Sequence, residues 1–310
     1  MNPVEIQHVS KSFGDAVALA DVTAAVPRHS IVGLIGRNGS GKSTLLRHMT
    51  GLLLPDAGEC VTLGLPAAKL GPAELARIGV MDQHAHFVEW MTGTQLMRYV
   101  SSFYTTWDRA LERDLTELLE VDASARVGAM SPGHVQRLAL VLASCHHPEL
   151  LLLDEPLSDL DPIARQTVLR LLLDRFSRDD LTIVISSHML RDIEPVVNRI
   201  VCLHEGRLVA DADSDALRER FAEWIVTSRA GSLPSAFDDP FVVSAQGDAH
   251  RARLLVRDVA ATDAARFEAA HDAAIEARPL TLEQIFPVLT QQASGQGRPR
   301  DAAEAGGVAR

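Results

Sequence analysis

Cysteine is scarce in this chain: three residues among 310, Cys60, Cys145 and Cys202, at spacings that match no metal-ligand pattern. An odd number argues against a disulfide framework and suits a reducing compartment. Long apolar runs are missing too. No stretch approaches the ~18 uninterrupted apolar residues of a membrane helix. The start, Met1-Asn2-Pro3-Val4-Glu5, has neither the basic residues nor the apolar run of a secretory signal. Positive charge is in deficit, with 30 Lys and Arg against 41 Asp and Glu and a formal net charge of −11. Such a balance repels phosphate backbones and disfavours broad nucleic-acid binding. No internal repeat is visible. The expectation is a soluble, cytoplasmic protein whose role at a membrane, if any, comes through a partner. Its apolar content of 46% is ample for a core, and its length suits two domains or one with an appendage.

What is present is an alternation of strands and helices. Residues 3–9 and 16–26 read as strands around a turn at Ser12-Phe13-Gly14-Asp15. Ile31-Val32-Gly33-Leu34-Ile35 is a nearly continuous apolar run of buried-strand length. Leu45, Leu46, Met49, Leu52 and Leu53 then recur with helical period. Further strands are expected at 77–82, 150–153 and 181–186, with a hairpin around Glu205-Gly206. Residues 93–147 read as helical with a break at 128–133, and residues 160–178 as another helix. Together these predict an α/β domain with a mainly parallel sheet.

Between the first apolar strand and its helix lies Gly36-Arg37-Asn38-Gly39-Ser40-Gly41-Lys42-Ser43-Thr44, which satisfies the phosphate-loop pattern G-x-x-x-x-G-K-[ST]. Glycines let successive backbone N–H groups curl around an anion, and the following helix points its positive end at it. Lys42 supplies a point charge for the β- and γ-phosphates, and the Ser43 hydroxyl is placed to ligate Mg²⁺. A nucleotide carried with Mg²⁺ is thus the expected ligand.

Five further features, in order over about residues 2–222, resemble the ABC ATPase family, and the resemblance implies ATP as the nucleotide. Leu150-Leu151-Leu152-Leu153-Asp154-Glu155-Pro156 looks like a Walker B strand. The resemblance implies that Asp154 holds Mg²⁺ through water and that Glu155 orients or deprotonates the attacking water. Ser158-Asp159-Leu160-Asp161 is similar to the D-loop, where Asp161 helps fix a dimer interface. His188, ending the strand with Ser186-Ser187, resembles the histidine that contacts the γ-phosphate. Gln83 resembles the Q-loop residue that senses Mg²⁺ and couples to a membrane subunit. Phe13 stands where the family stacks an aromatic on adenine, with core packing as the rival reading.

The family's L-S-G-G-Q segment is replaced here by Met130-Ser131-Pro132-Gly133-His134. Ser131 and Gly133 are retained, and in the family these face the γ-phosphate bound by the opposite subunit. Ser is a preferred N-cap and Pro is tolerated just after it, so the helix start should survive. A competent, slowed composite site is expected; the opposing reading is a degenerate site that binds ATP and hydrolyses poorly. One copy of each motif implies a dimer, with itself or with a homologous ATPase subunit.

The resemblance implies a P-loop NTPase fold: a RecA-like core, an N-terminal antiparallel β subdomain and a helical signature subdomain. The expected division is an ATPase domain at 1–222 (helical subdomain about 84–147), a small α+β domain at 223–290 and a disordered tail at 291–310. An Ala-rich helix is expected at 261–277. Pro279-Leu280-Thr281-Leu282-Glu283-Gln284-Ile285-Phe286 resembles a P-x-L-E-x-x-F ending of export-type members. The implied function is the ATP-hydrolysing subunit of an exporter, peripheral on the inner face of the membrane and partnered by a separate permease. A soluble ABC-type mechanoenzyme and a weakly hydrolysing regulatory ATPase are the alternatives. Cys145-His146-His147 is read against a metal site, because adjacent residues cannot all point at one ion. His84 and His86 are expected on the surface. The aromatics from Phe103 to Trp107 are either helical-subdomain core or an interface.

Overall fold

Unbroken apolar stretches place the central strands. The computed structural model describes residues 2–83, 86–178 and 180–295. β1 (Val4–Phe13), β2 (Ala16–Val26), β4 (Ala57–Thr62) and β5 (Leu65–Pro66) form an antiparallel sheet in the order β2-β1-β4-β5. Val4, Ile6 and Val9 of β1 alternate inward with Val22, Ala24 and Val26 of β2, as a sheet with one buried face requires. β3 (Ile31–Ile35) is buried at all five positions. With β6 (Ile78–Met81), β7 (Leu150–Leu153), β8 (Thr182–Ser187), β9 (Arg199–His204) and β10 (Arg207–Asp213) it builds a six-stranded sheet in the order β10-β9-β3-β8-β7-β6. All its pairs are parallel except β9 with β10.

The register aligns the strand ends. Ile35 lies opposite Ser187, Leu153 opposite Ile185, and Met81 opposite Leu153. The loops leaving β3, β6, β7 and β8 therefore emerge at one edge, the carboxyl ends where α/β sheets place ligands. Arg77 meets Glu149 through two hydrogen bonds of 2.6 and 2.8 Å, pinning the chain entering β6 to the chain entering β7. Both side chains are about 40% exposed, so the pair contributes about 0–1 kcal/mol and acts chiefly on register.

Helices α1 (Lys42–Met49), α2 (Pro72–Leu75), α3 (Gly93–Ser101), α4 (Arg109–Leu118), α5 (Pro132–Ser144), α6 (Pro162–Arg178), α7 (Leu190–Ile193) and α8 (Ser214–Glu219) complete the larger unit. The stretch 93–147 is three helices, not one run with a single break. Local capping cuts it: Thr92 and Gln95 form a capping box on α3, and Asp108 accepts from the amides of Ala110 and Leu111 to open α4. The periodic Leu52 and Leu53 lie beyond α1, and Leu52 is exposed. The chain turns back there because a ring nitrogen of His48 bonds the Leu53 carbonyl at 2.7 Å.

The chain divides into two compact units between Arg220 and Phe221, where a strand starts. The second unit has β11 (Phe221–Ser228), β12 (Val242–Gly247), β13 (Arg251–Arg257) and β14 (Ala273–Pro279) in the antiparallel order β12-β13-β11-β14. α9 (Ala261–His271) sets Phe267 against Trp224 and Phe237, ring centroids 5.5 Å away in each case. The helix expected over 261–277 ends at His271, and its last five residues belong to β14, which pairs with β11. α10 (Leu282–Gly295) carries Leu282 to Phe286 of the P-x-L-E-x-x-F segment, whose Pro279 closes β14, and includes 291–295 of the expected tail; 296–310 lie outside the described residues, as does His84. His86 is exposed. Phe103 is 66% exposed, whereas Tyr104 and Trp107 are half-buried and Tyr104 stacks on His146 at 4.2 Å.

Burial holds the pKa of His146 below its ordinary 6.5. The unfolded chain therefore binds this proton more readily than the folded one, and stability rises with pH. The contribution is complete above about pH 6.5 and is lost as pH falls through the lowered folded value. Chemical denaturation at pH 7.5 and 5.5 should show a loss at the lower pH that shrinks in His146→Leu.

Candidate functional site

The phosphate loop takes its shape from Gly41, whose backbone sits at φ 102°, in the left-handed region. A Cβ there would also lie 2.5 Å from the Ala18 carbonyl oxygen, so only glycine fits between β2 and α1. The next residue, Lys42, opens α1 and turns its ammonium back into the loop. It donates to the Gly36 carbonyl at 2.8 Å and approaches that of Arg37 at 3.4 Å. Lys42 is 6% exposed and its ammonium stands 3.2 Å from Oε1 of Glu155, itself 5% exposed.

Glu155 reaches that point from β7. Its backbone lies at φ 49°, an uncommon conformation for a residue with a side chain. Three groups hold it there. The Ser186 hydroxyl accepts from the Glu155 amide at 2.8 Å and donates to Oδ1 of Asp154 at 2.5 Å. The Gln136 side-chain amide donates to the Glu155 carbonyl at 2.9 Å. His188, one residue past β8, places Nδ1 2.8 Å from Oε2 of Glu155. The carboxylate thus stands between an ammonium and an imidazole.

Phe13, Asn38, Gly39, Gly41, Lys42, Ser43, Thr44, Gln83 and Glu155 line a cavity of about 520 Å³. His188 lines a neighbouring cavity of about 490 Å³ with Arg37, Asn38, Gly39 and Ser40. Phe13 is 53% exposed, which removes it from the core, and the Lys11 ammonium lies 5.7 Å from its ring centroid. The Ser40 hydroxyl is buried without a hydrogen-bond partner, a donor suited to a phosphate oxygen. Asp154 lines neither cavity; it is buried at the end of β7.

The donor set fits a hard cation carried by a polyphosphate. Among the described residues there is no cluster of three or more His, Cys, Asp or Glu able to cage a metal. Mg²⁺ usually takes only one or two protein oxygens besides phosphates and waters, and the Ser43 hydroxyl and Gln83 lie in one cavity, with Asp154 beside Glu155.

Ser131, Gly133 and Asp161 do not join these residues in the cavity. Ser131 caps α5, accepting from the His134 amide, with Pro132 as the first helical residue. A Cβ on Gly133 would sit 2.8 Å from the Asp159 carbonyl oxygen, so the helix start and the D-loop are in close contact. Asp161 accepts from the amides of Ile163 and Ala164 at 2.9 and 3.0 Å, and its carboxylate meets Arg137 at 3.2 Å. The Ala164 amide is the main cause holding the Asp161 carboxyl below its usual range.

Two residues were invisible as site residues in the sequence. Ser186 orders both Asp154 and Glu155. Gln136 donates also to the Ser158 hydroxyl at 3.1 Å and accepts from the Asp159 amide at 3.3 Å, bridging α5 to the loop after β7. The only signals were a polar pair closing an apolar strand and a buried amide in an apolar helix. Gln136→Leu leaves the Asp159 amide without its side-chain partner and should cost about 1–3 kcal/mol in urea denaturation.

A family model described as ABC transporter matches residues 19–158. The chain is 33% identical to the ABC transporter ATP-binding protein YtrB of Bacillus subtilis (strain 168), over 70% of this chain and 74% of that protein. It is 33% identical to the Nod factor export ATP-binding protein I of Rhizobium sp. (strain N33), covering 70% and 72%. Against the bacitracin transport ATP-binding protein BcrA of Bacillus licheniformis the identity is 30%, covering 72% and 73%. Among solved structures, an ATP-binding subunit of an ABC transporter aligns with TM-score 0.63 and 28% identity, covering 70% of this chain and 92% of that one. A dimeric ATP-binding cassette in a post-hydrolysis state with ADP and Pi aligns in fold with TM-score 0.60 at 24% identity, covering 68% and 98%.

Proposed function

The chain belongs to the ABC transporter family of ATP-binding, ATP-hydrolysing subunits, and from that premise we propose that it powers export through a separate membrane permease, as one half of an ATPase pair. The observation that carries the catalytic part is the convergence of Lys42 and His188 on the two oxygens of Glu155 beside the phosphate-loop cavity. Two considerations favour export. Similar proteins bear the names Nod factor export and bacitracin transport, and the Pro279–Phe286 segment resembles an export-type ending. No described helix is long and apolar enough to cross a membrane, so in this reading a partner supplies the pathway. The chain then works at the inner membrane face.

Phe13 offers the adenine an exposed aromatic face, and the loop amides, Ser40 and Lys42 hold the phosphates. Mg²⁺, when bound with the nucleotide, neutralises phosphate charge; Ser43 and Gln83 would hold it, with Asp154 reaching it through water. Glu155 takes a proton from the attacking water as that oxygen bonds to the terminal phosphorus. The bond from that phosphorus to the ADP oxygen breaks. His188 keeps Glu155 oriented and contacts the terminal phosphate. Ser131 and Gly133 at the positive end of α5, with Asp161 beside them, complete the site of the opposite subunit. Gln83 passes the state of the nucleotide to the permease.

Lys42→Ala should lower ATP turnover about 100-fold or more, and wild-type turnover in this variant would sink the mechanism. Glu155→Gln should lower turnover by about 10²–10⁴ while retaining ATP binding, which calorimetry can check. Tagged Glu155→Gln protein, held with ATP and Mg²⁺ and extracted in mild detergent, should bring down a multi-span membrane protein in stoichiometric amount. Ribosomal or DNA-repair partners, with nothing from the membrane, would overturn the transporter reading.

A further inference from the structure

Ser131 has one hydroxyl proton, and its neighbour decides where that proton goes. The oxygen accepts from the His134 amide at 3.4 Å as the cap of α5. The same oxygen lies 2.7 Å from Nδ1 of His134. A neutral imidazole whose Nδ1 carries no proton must accept there, so the Ser131 hydroxyl donates back into its own helix. An imidazolium reverses the bond: Nδ1–H donates to the serine oxygen, and the hydroxyl proton turns outward.

We propose that His134 is a positioning residue that directs the Ser131 hydroxyl, so that the grip of this segment on a terminal phosphate tightens as His134 takes up a proton. This rests on the reading of Ser131 as a contact to the nucleoside triphosphate held by the facing subunit. An outward O–H donates to a phosphate oxygen, and the imidazolium adds a positive charge at the helix start. An inward O–H offers the phosphate only lone pairs. Glutamine at 134 can hydrogen-bond to Ser131 but does not titrate between pH 5 and 8, as histidine ordinarily does.

Charged groups surround His134 on several sides. Asp122 faces it from the loop before α5; its carboxyl is lowered mainly by the Ser124 hydroxyl and also by the His134 charge. Asp159 lies across from the helix start, bonded to the Ser158 hydroxyl at 3.1 Å. Glu89 packs at Gly128, beneath the turn that leads into α5. Arg137, one turn along the helix, is engaged by Glu120 at 3.6 Å and Asp161 at 3.2 Å. Arg126, exposed in the preceding loop, is the other nearby cation in the sequence.

The test compares the full-length wild type with His134→Gln, measuring kcat and KM for ATP between about pH 6 and 8 with the Lys42→Ala rate subtracted. The ratio of wild-type to variant kcat/KM should rise about fivefold from the alkaline to the acid end, the size of one net hydrogen bond. A ratio that stays constant while turnover depends on Lys42 overturns the role of His134 and leaves the ATPase reading intact. Turnover that ignores Lys42 overturns the ATPase reading instead. A second measurement is independent of turnover. Long-range proton–nitrogen spectra of the wild type, with the His134 signal assigned by its loss in His134→Gln, should show an unprotonated Nδ1 near pH 8 that gains a proton on acidification. A protonated Nδ1 throughout that range overturns the proposal.

Discussion

A buried ammonium facing a buried carboxylate governs this molecule. Lys42 and Glu155 come from segments 113 positions apart in the chain, and each is about 95% removed from solvent. Charges so placed lose several kcal/mol of hydration apiece, and a well-packed apolar pair in their stead is often neutral or stabilising. The pair is thus weak evidence of stability, and in the proposed mechanism it serves the chemistry. Much of the surrounding architecture follows from bringing them together. The loop after β3 must lie beside the loop after β7, so β8 separates their strands and contributes both the Ser186 hydroxyl and the following His188. The left-handed backbone at Glu155 is the local strain that this meeting demands, and the Ser186 and Gln136 hydrogen bonds hold it in place.

The electrostatics of the whole and of the site point in opposite directions. A chain with net charge −11 is a poor match for a polyphosphate by its average field. The phosphate loop overcomes this within a few ångströms, through an ammonium without competing water, a run of amides and the start of α1. Those contributions act at contact distance in a partly desolvated cavity, whereas the excess carboxylates are mostly solvated and screened. Net charge accordingly bears on which polymers the surface attracts and says little about a small anion held in a cradle.

Legibility in the sequence tracked whether meaning was local. The phosphate loop, β3, β7 and β8 could be read directly, because glycine spacing and unbroken apolar runs carry their own instructions. Family likeness then assigned Asp154, Glu155, His188 and Gln83, and the three chain segments that carry them, after β7, β8 and β6, do leave the same sheet edge. β14 was read as helix because Ala273, Ala274 and Ala277 favour helix in isolation; pairing with β11 overrides that preference. The helical pattern past Met49 was broken by His48 reaching forward to the Leu53 carbonyl, a contact no periodicity reveals. Ser186 and Gln136 were silent for the same reason: a buried hydroxyl or amide acquires a role only from partners far away in sequence.

Gln136 has a consequence for reading mutational data. Its single amide group fastens α5 to the carbonyl of Glu155 and to the amide of Asp159. A substitution that tilts α5 or shifts its first turn is transmitted within the same polypeptide to Glu155. Under the proposed mechanism, a fall in turnover caused by changes between residues 131 and 136 would thus mix two origins, a weakened contact across subunits and a misaligned carboxylate within one. Separating them calls for mixed assemblies in which only one of the two chains carries the change.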